Sequence, residues 1–162
     1  RCKMYQVSDV VISLAFGIGK IVEIAELQQD SGLFYLIEGI EEKFKTFVPV
    51  NSVSKFRKIS SAEQMNTHLK LLKGPVELKD YKSRKERVLD FKEKAEPKNL
   101  EEMTNVIKEL NSLSDRGSIE NELFLKLKKN MAKEYSFVGN IKEREAFEII
   151  QKELEVPESQ TN

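Results

Sequence analysis

The stretch YQVSDVVISLAFGIGKIVEIAE, Tyr5 to Glu26, decides how the front of the chain folds. Val10 to Leu14 reads as one strand and Ile18 to Leu27 as a second, because both are rich in β-branched residues and Phe16-Gly17 stands between them. The two form a hairpin. Leu33 to Ile40 and Phe44 to Val50 continue as two further strands, parted by the acidic turn Glu41-Glu42. Short strands with polar turns over this length imply a small curled sheet or SH3-like barrel. Nothing in it has the look of a chemical site, and its character is that of a docking surface.

Near residue 60 the hydrophobic period changes from two to that of a helix, which divides the chain into a β part, 1–58, and a helical part, 59–162. Ser60 to Glu63 has the spacing of a capping box, followed by Met65, Leu69 and Leu72, and Gly74-Pro75 closes the first helix. A second helix is expected from about Asp80 to Ala95, stopped by Pro97. The third, about Leu100 to Leu113, carries Met103, Val106, Ile107 and Leu110 on one face. Ser118 caps a fourth, with the stripe Ile119, Leu123, Leu127 and Met131, and a fifth from Ile141 turns Ala146, Ile149, Ile150 and Leu154 inward. Short connections make these helices neighbours in a compact bundle, and Pro157 to Asn162 reads as a disordered tail. The fold class expected is thus α+β, a small β-barrel followed by an all-α bundle.

Over 162 residues there are 27 basic and 27 acidic side chains, so no global field draws the chain to nucleic acid or to an anionic membrane. Any electrostatic footprint has to be local. Cys2 alone excludes an internal disulfide framework and fits a reducing cytoplasm. The apolar run Val10 to Gly19 is too short to cross a bilayer and lacks a cleavage pattern, so no membrane association is expected.

The text GIGK at Gly17 to Lys20 lacks the Gly five positions before its Gly-Lys pair and the following Ser or Thr of a phosphate-binding loop, and a strand follows it; it reads as a hairpin turn. His68, the only histidine, has no companion at metal-ligand spacing. Carboxylates such as Glu101-Glu102 fall on helix first turns, where the helix dipole accounts for them. No motif calls for a cofactor, a metal or catalysis, and the chain reads as a non-enzyme.

Two features remain. Along Lys43 to Val50 the alternation turns Phe47 to the face that otherwise carries Lys43 and Lys45, while Pro49, without an N–H, marks an edge strand. An aromatic there either packs on a neighbouring strand or anchors a partner, and an open edge invites a partner's strand. In the second helix Lys82, Arg84, Lys85 and Arg87 stand against Glu86 alone. Such a cluster either neutralises nucleic-acid phosphates without sequence preference or is a solvated face laced with ion pairs.

The order of these features resembles the CarD-type (CdnL) bacterial transcription regulators. The opening YQVSDVVISLAFGIGKIVEI is similar to that family's start, FVPVNSVSKFRKI to its valine-proline segment before the helices, and the helical half follows through DYKSRKERVLDFKEKA, NLEEMTNVIKELNSLS and ENELFLKLKKNMAKE, a likeness over about residues 4 to 154. The resemblance implies a Tudor-like domain that docks on the β subunit of RNA polymerase and a helical domain that touches promoter DNA at the upstream edge of the bubble, on the backbone and in the minor groove, stabilising the open complex in the bacterial cytoplasm. Carried over by position, Lys82, Arg84, Lys85 and Arg87 are the basic DNA contacts, and Tyr81 takes the place of a wedging Trp. Lys45 and Phe47 are the polymerase contacts, Phe47 standing where the family has an arginine. Ser8 stands for the Gly of a Gly-Asp pair, and Ser13-Leu14 for Tyr-Pro. The alternative is a KOW-like module on Gly17 to Ile24 that holds RNA or ribosomal protein on a helical scaffold.

Overall fold

The computed structural model describes residues 5–52, 56–96 and 99–155, so Cys2, Pro97 and the expected tail lie outside the described residues. The fold is α+β, and the chain forms two compact units, one of Arg1–Ile59 with Glu96–Lys98 and the other of Ser60–Ala95 with Asn99–Asn162.

The first unit is a five-stranded sheet of β1 (Val10–Ser13), β2 (Gly17–Glu26), β3 (Leu33–Gly39), β4 (Lys45–Pro49) and β5 (Arg57–Lys58). Each hydrogen-bonded pair is antiparallel, and the spatial order is β4-β3-β2-β1-β5. The hairpin pairs Ser13 with Gly17 across Leu14, Ala15 and Phe16. Gly17 has φ 83°, a left-handed conformation that a side chain resists, and Ser13 Oγ accepts from Ala15 N at 3.0 Å. GIGK therefore opens a strand. A bulge between Ile21 and Glu23 gives β2 an extra residue and a sharper local twist.

One face of the sheet holds the core, built of Val11, Ile21, Tyr35, Ile37, Val48 and Phe56. Tyr5, Tyr35 and Phe56 form a cluster with centroids 4.9 to 5.9 Å apart, and the buried Tyr35 hydroxyl is satisfied by the Tyr5 N–H at 2.9 Å. The expected closed barrel is not seen. Among the described residues the end strands β4 and β5 share no ladder, and the sheet stays open. The two ends are poorly matched to each other: β5 is two residues long, and Pro49 removes a donor where β4 stops.

The second unit contains α1 (Ala62–Leu71), α2 (Arg84–Lys94), α3 (Leu100–Ser112), α4 (Ser118–Gly139) and α5 (Glu143–Leu154). The capping box of α1 is Ser61 with Gln64, one residue later than the spacing suggested, while the Ser60 N–H donates to the buried Glu134 carboxylate at 2.8 Å. The second helix begins at Arg84, four residues after its expected start, because the Ser83 hydroxyl accepts from Glu86 N. Asn99 caps α3, whose Met103, Val106, Ile107 and Leu110 are all buried. Helix α4 is capped at Gly117 and ends on the left-handed Asn140.

The buried stripe of α4 keeps Leu127 and Met131 of the expected one but starts elsewhere. Ile119 is 50 % exposed, and the core positions of this helix are Glu120, Phe124, Leu127 and Met131. A carboxylate therefore occupies the first core position of the longest helix. Among the described residues no helix is long and apolar enough to cross a membrane.

Candidate functional site

Two surfaces hold the residues singled out from sequence, one in each unit. On the sheet, Lys45, Phe47 and Pro49 of β4 share the face opposite the core, while Val48 points inward. Cross-strand pairing places Glu38 opposite Lys45, Leu36 opposite Phe47 and Phe34 opposite Pro49. Lys45 is thereby compensated, its Nζ 3.7 Å from Glu38. Phe47 is 47 % exposed beside the half-buried Leu36, so the outer face at this end carries an apolar patch. As β4 is the end strand in the ladder order, it also offers, among the described residues, one row of backbone groups outside the ladder.

The helical unit places the five expected DNA contacts around the start of α2, the four cations in three different situations and Tyr81 in a fourth. Lys82 and Lys85 are exposed and make no ion pair among the described residues. Arg84 is exposed but engaged: its Nη2 donates to the carbonyl oxygen of Asp115 at 2.6 Å and to Oδ2 at 3.4 Å. Arg87 is drawn in. Its Nε and Nη2 donate to the two oxygens of Glu120 at 2.6 and 2.8 Å, and its Nη1 to Asp115 Oδ1 at 3.3 Å. Side-chain exposure is 13 % for Arg87 and 1 % for Glu120, so this bidentate pair ties α2 to α4 in a nearly dry setting.

The titration of these groups follows from the pairing. The Arg87 hydrogen bonds hold the Glu120 carboxyl below its ordinary range against the opposing effect of burial. Desolvation works against the charge on Asp115 too, but attraction to Arg87 and the Arg84 hydrogen bond win, and its carboxyl is also lowered. Glu109 goes the other way, raised by burial.

Tyr81 lies before the helix, half-buried, with its ring 6.0 Å from Phe91 in an edge-on contact. Its hydroxyl donates to the Asp90 carboxylate, which also takes the Lys94 ammonium at 3.1 Å. Burial, reinforced by Asp90, pushes the phenol well above its usual range. The exposed Lys79 lies 5.5 Å over the ring. A ring held at both ends is a fixed part of the segment. His68 is half-buried, with Nδ1 3.3 Å from Thr104 Oγ1, and among the described residues no acidic, histidine or cysteine group has the makings of a metal site.

The residues that sequence reasoning passed over are the anions. Asp115 and Glu120 lie 28 and 33 positions from Arg87 along the chain, and only the packing of α2 on α4 brings them together. One signal was present: Glu120 falls at helical intervals with Phe124, Leu127 and Met131, and a carboxylate on a core stripe demands a cation. No protein-family model matches the chain, and no curated protein matches it.

Proposed function

We propose that the chain is a non-enzymatic transcription regulator of the CarD type, which docks on the β subunit of RNA polymerase through its sheet and holds promoter DNA at the upstream edge of the bubble through the start of α2, in the bacterial cytoplasm. The observation that carries this reading is the outer face of β4: an exposed Phe47 in an apolar patch on a strand with an unpaired edge. Aromatics in such positions serve as binding anchors, and an open edge accepts a partner's strand. The open sheet acts here as a Tudor-like docking module. The order of sequence features along both units supports the same assignment.

On the DNA side Lys82 and Lys85, with Lys79, supply backbone contacts that neutralise phosphates irrespective of sequence. Arg87 serves by fixing α2, and Tyr81 by holding the segment that carries Lys79 and Lys82. Each contact made only with the opened duplex adds to the cost of reannealing, and the bubble closes more slowly.

The test is retention of RNA polymerase β-subunit fragments by the full chain, followed by open-complex lifetime. Phe47→Asp is expected to weaken retention at least ~30-fold, the range of a buried aromatic anchor. Lys82→Glu with Lys85→Glu is expected to leave retention intact and shorten the lifetime. Failure to retain the β subunit overturns the reading, and recovery of ribosomes instead selects the KOW-like RNA- or ribosome-binding alternative.

A further inference from the structure

Resting on the DNA assignment above, we infer that Arg84 and the outer nitrogen of Arg87 form a phosphodiester-binding fork, which the chain's own Asp115 occupies when no nucleic acid is present. Two guanidinium groups converge on Asp115: Arg84 Nη2 donates to its backbone carbonyl oxygen at 2.6 Å and reaches the carboxylate Oδ2 at 3.4 Å, and Arg87 Nη1 donates to Oδ1 at 3.3 Å. Glu120 takes the other two donating nitrogens of Arg87, at 2.6 and 2.8 Å, and so fixes the plane of that guanidinium with Nη1 turned to Asp115. The fork is fixed by Glu120 on one side and open to solvent on the other.

Asp115 is placed to be displaced. Its side chain is 60 % exposed in the turn between α3 and α4. Capping of α4 falls to Gly117 and Glu120, so the Asp115 carboxylate serves no helix end. A cleft of about 520 Å³ adjoins the fork and is lined in part by Lys79, Tyr81 and Ser83. A phosphate presents the same acceptor geometry to guanidinium donors as a carboxylate does, with more oxygens to share between two arginines. While Asp115 stays in place, the two arginines and the two carboxylates cancel, and the fork attracts no anion from a distance. An exposed pair of this kind opposes a competitor only weakly, by up to about fivefold in affinity. Promoter DNA brought close by a docked polymerase exceeds that barrier through its effective concentration, while free DNA in solution is discouraged.

The experiment measures binding of the full chain to a fluorescent duplex with a mismatched, melted segment, across a salt series. The set is wild type, D115N, R84Q, the R84Q/D115N double variant, K82E/K85E, and E101Q as a control for a remote lost charge. D115N is expected to bind about three- to fivefold more tightly, with a salt slope steeper by about one phosphate contact. In the R84Q background the same change is expected to have a clearly smaller effect, because Arg87 Nη1 is then the one fork donor left for Asp115 to compete for. A D115N gain no larger than that of E101Q, or one undiminished by the loss of Arg84, overturns the fork while K82E/K85E still reports on the DNA assignment. If K82E/K85E leaves binding unchanged, or no variant binds, the DNA assignment falls and the fork falls with it.

Discussion

Replacing Arg87 with Met removes the cation but keeps a side chain long enough to fill its place between α2 and α4. Glu120, 1 % exposed, then loses its donors at 2.6 and 2.8 Å and keeps the Gly117 N–H at 3.1 Å. A carboxylate left in that state costs about 3–5 kcal/mol. The exposed contact to Asp115 adds no more than about 1 kcal/mol, so the loss is dominated by Glu120. At roughly 4 °C per kcal/mol for a domain of this size, the lower bound is a fall in melting temperature of about 12 °C. Urea denaturation followed by circular dichroism measures the same quantity without extrapolating in temperature. Adding Glu120→Leu removes the stranded charge, and the double variant is expected to recover to within about 1 kcal/mol of wild type. A loss under about 1 kcal/mol for R87M, or a double variant no more stable than the single, refutes the reasoning. Arg87 would then belong with the solvent-facing cations.

Acid stability checks the same pair: Glu120 is held below its ordinary value of 4.5, so its contribution is present above that pH and lost as pH falls through the lower folded value, and E120Q should show a shallower loss of melting temperature on acidification. For Tyr81, raised from 10.0 by burial and by Asp90, the unfolded phenol ionises first, so wild type should lose stability from about pH 10 upward. Y81F should lose less there, at a cost of about 1 kcal/mol at neutral pH for the missing hydrogen bond. Gly39→Ala should destabilise the chain by about 2–3 kcal/mol in urea melts. Its Cβ would lie 1.9 Å from the Glu42 carbonyl oxygen and 2.5 Å from the Phe44 ring, and the backbone atom cannot move aside by a rotamer change.

The parts of the fold that could be read from sequence are those that local chemistry determines. Tyr35, Ile37 and Val48 are buried at alternate positions because a pleated strand with one dry face allows nothing else, and Met103, Val106, Ile107 and Leu110 repeat the same logic at helical period. Ser83 followed by Glu86 also carried the signal for the true start of α2, but the charged residues before it, Lys82 above all, read equally well as a first turn. Ile119 and Glu120 are adjacent, and each begins a stripe at helical intervals. Glu120 turns inward, where Arg87 from another helix meets it. Closure of a barrel is likewise a pairing between distant strands, and no local pattern in β4 or β5 specifies it.

The cationic cluster shows what such long-range pairing does to a functional reading. Along the sequence, Lys82, Arg84, Lys85 and Arg87 oppose only Glu86; in the folded unit Asp115 and Glu120 engage both arginines. While Asp115 stays in place, what remains for a nucleic-acid backbone is a few exposed lysines, each contributing a slope of only about 0.9 to the salt dependence. On the sheet the balance is reversed, since Lys45 is neutralised by Glu38 while Phe47 stays exposed. In the proposed function the two contacts therefore differ in kind. Protein docking gains from apolar burial and is little affected by salt, whereas the DNA contact is electrostatic, weak alone and quickly screened. A weak contact joined to a firm one acts at the effective concentration that the firm one sets, so occupancy of DNA follows occupancy of the polymerase. Compensation of the arginines then works in favour of selectivity, because a stronger cluster would hold the chain on DNA where no polymerase is bound.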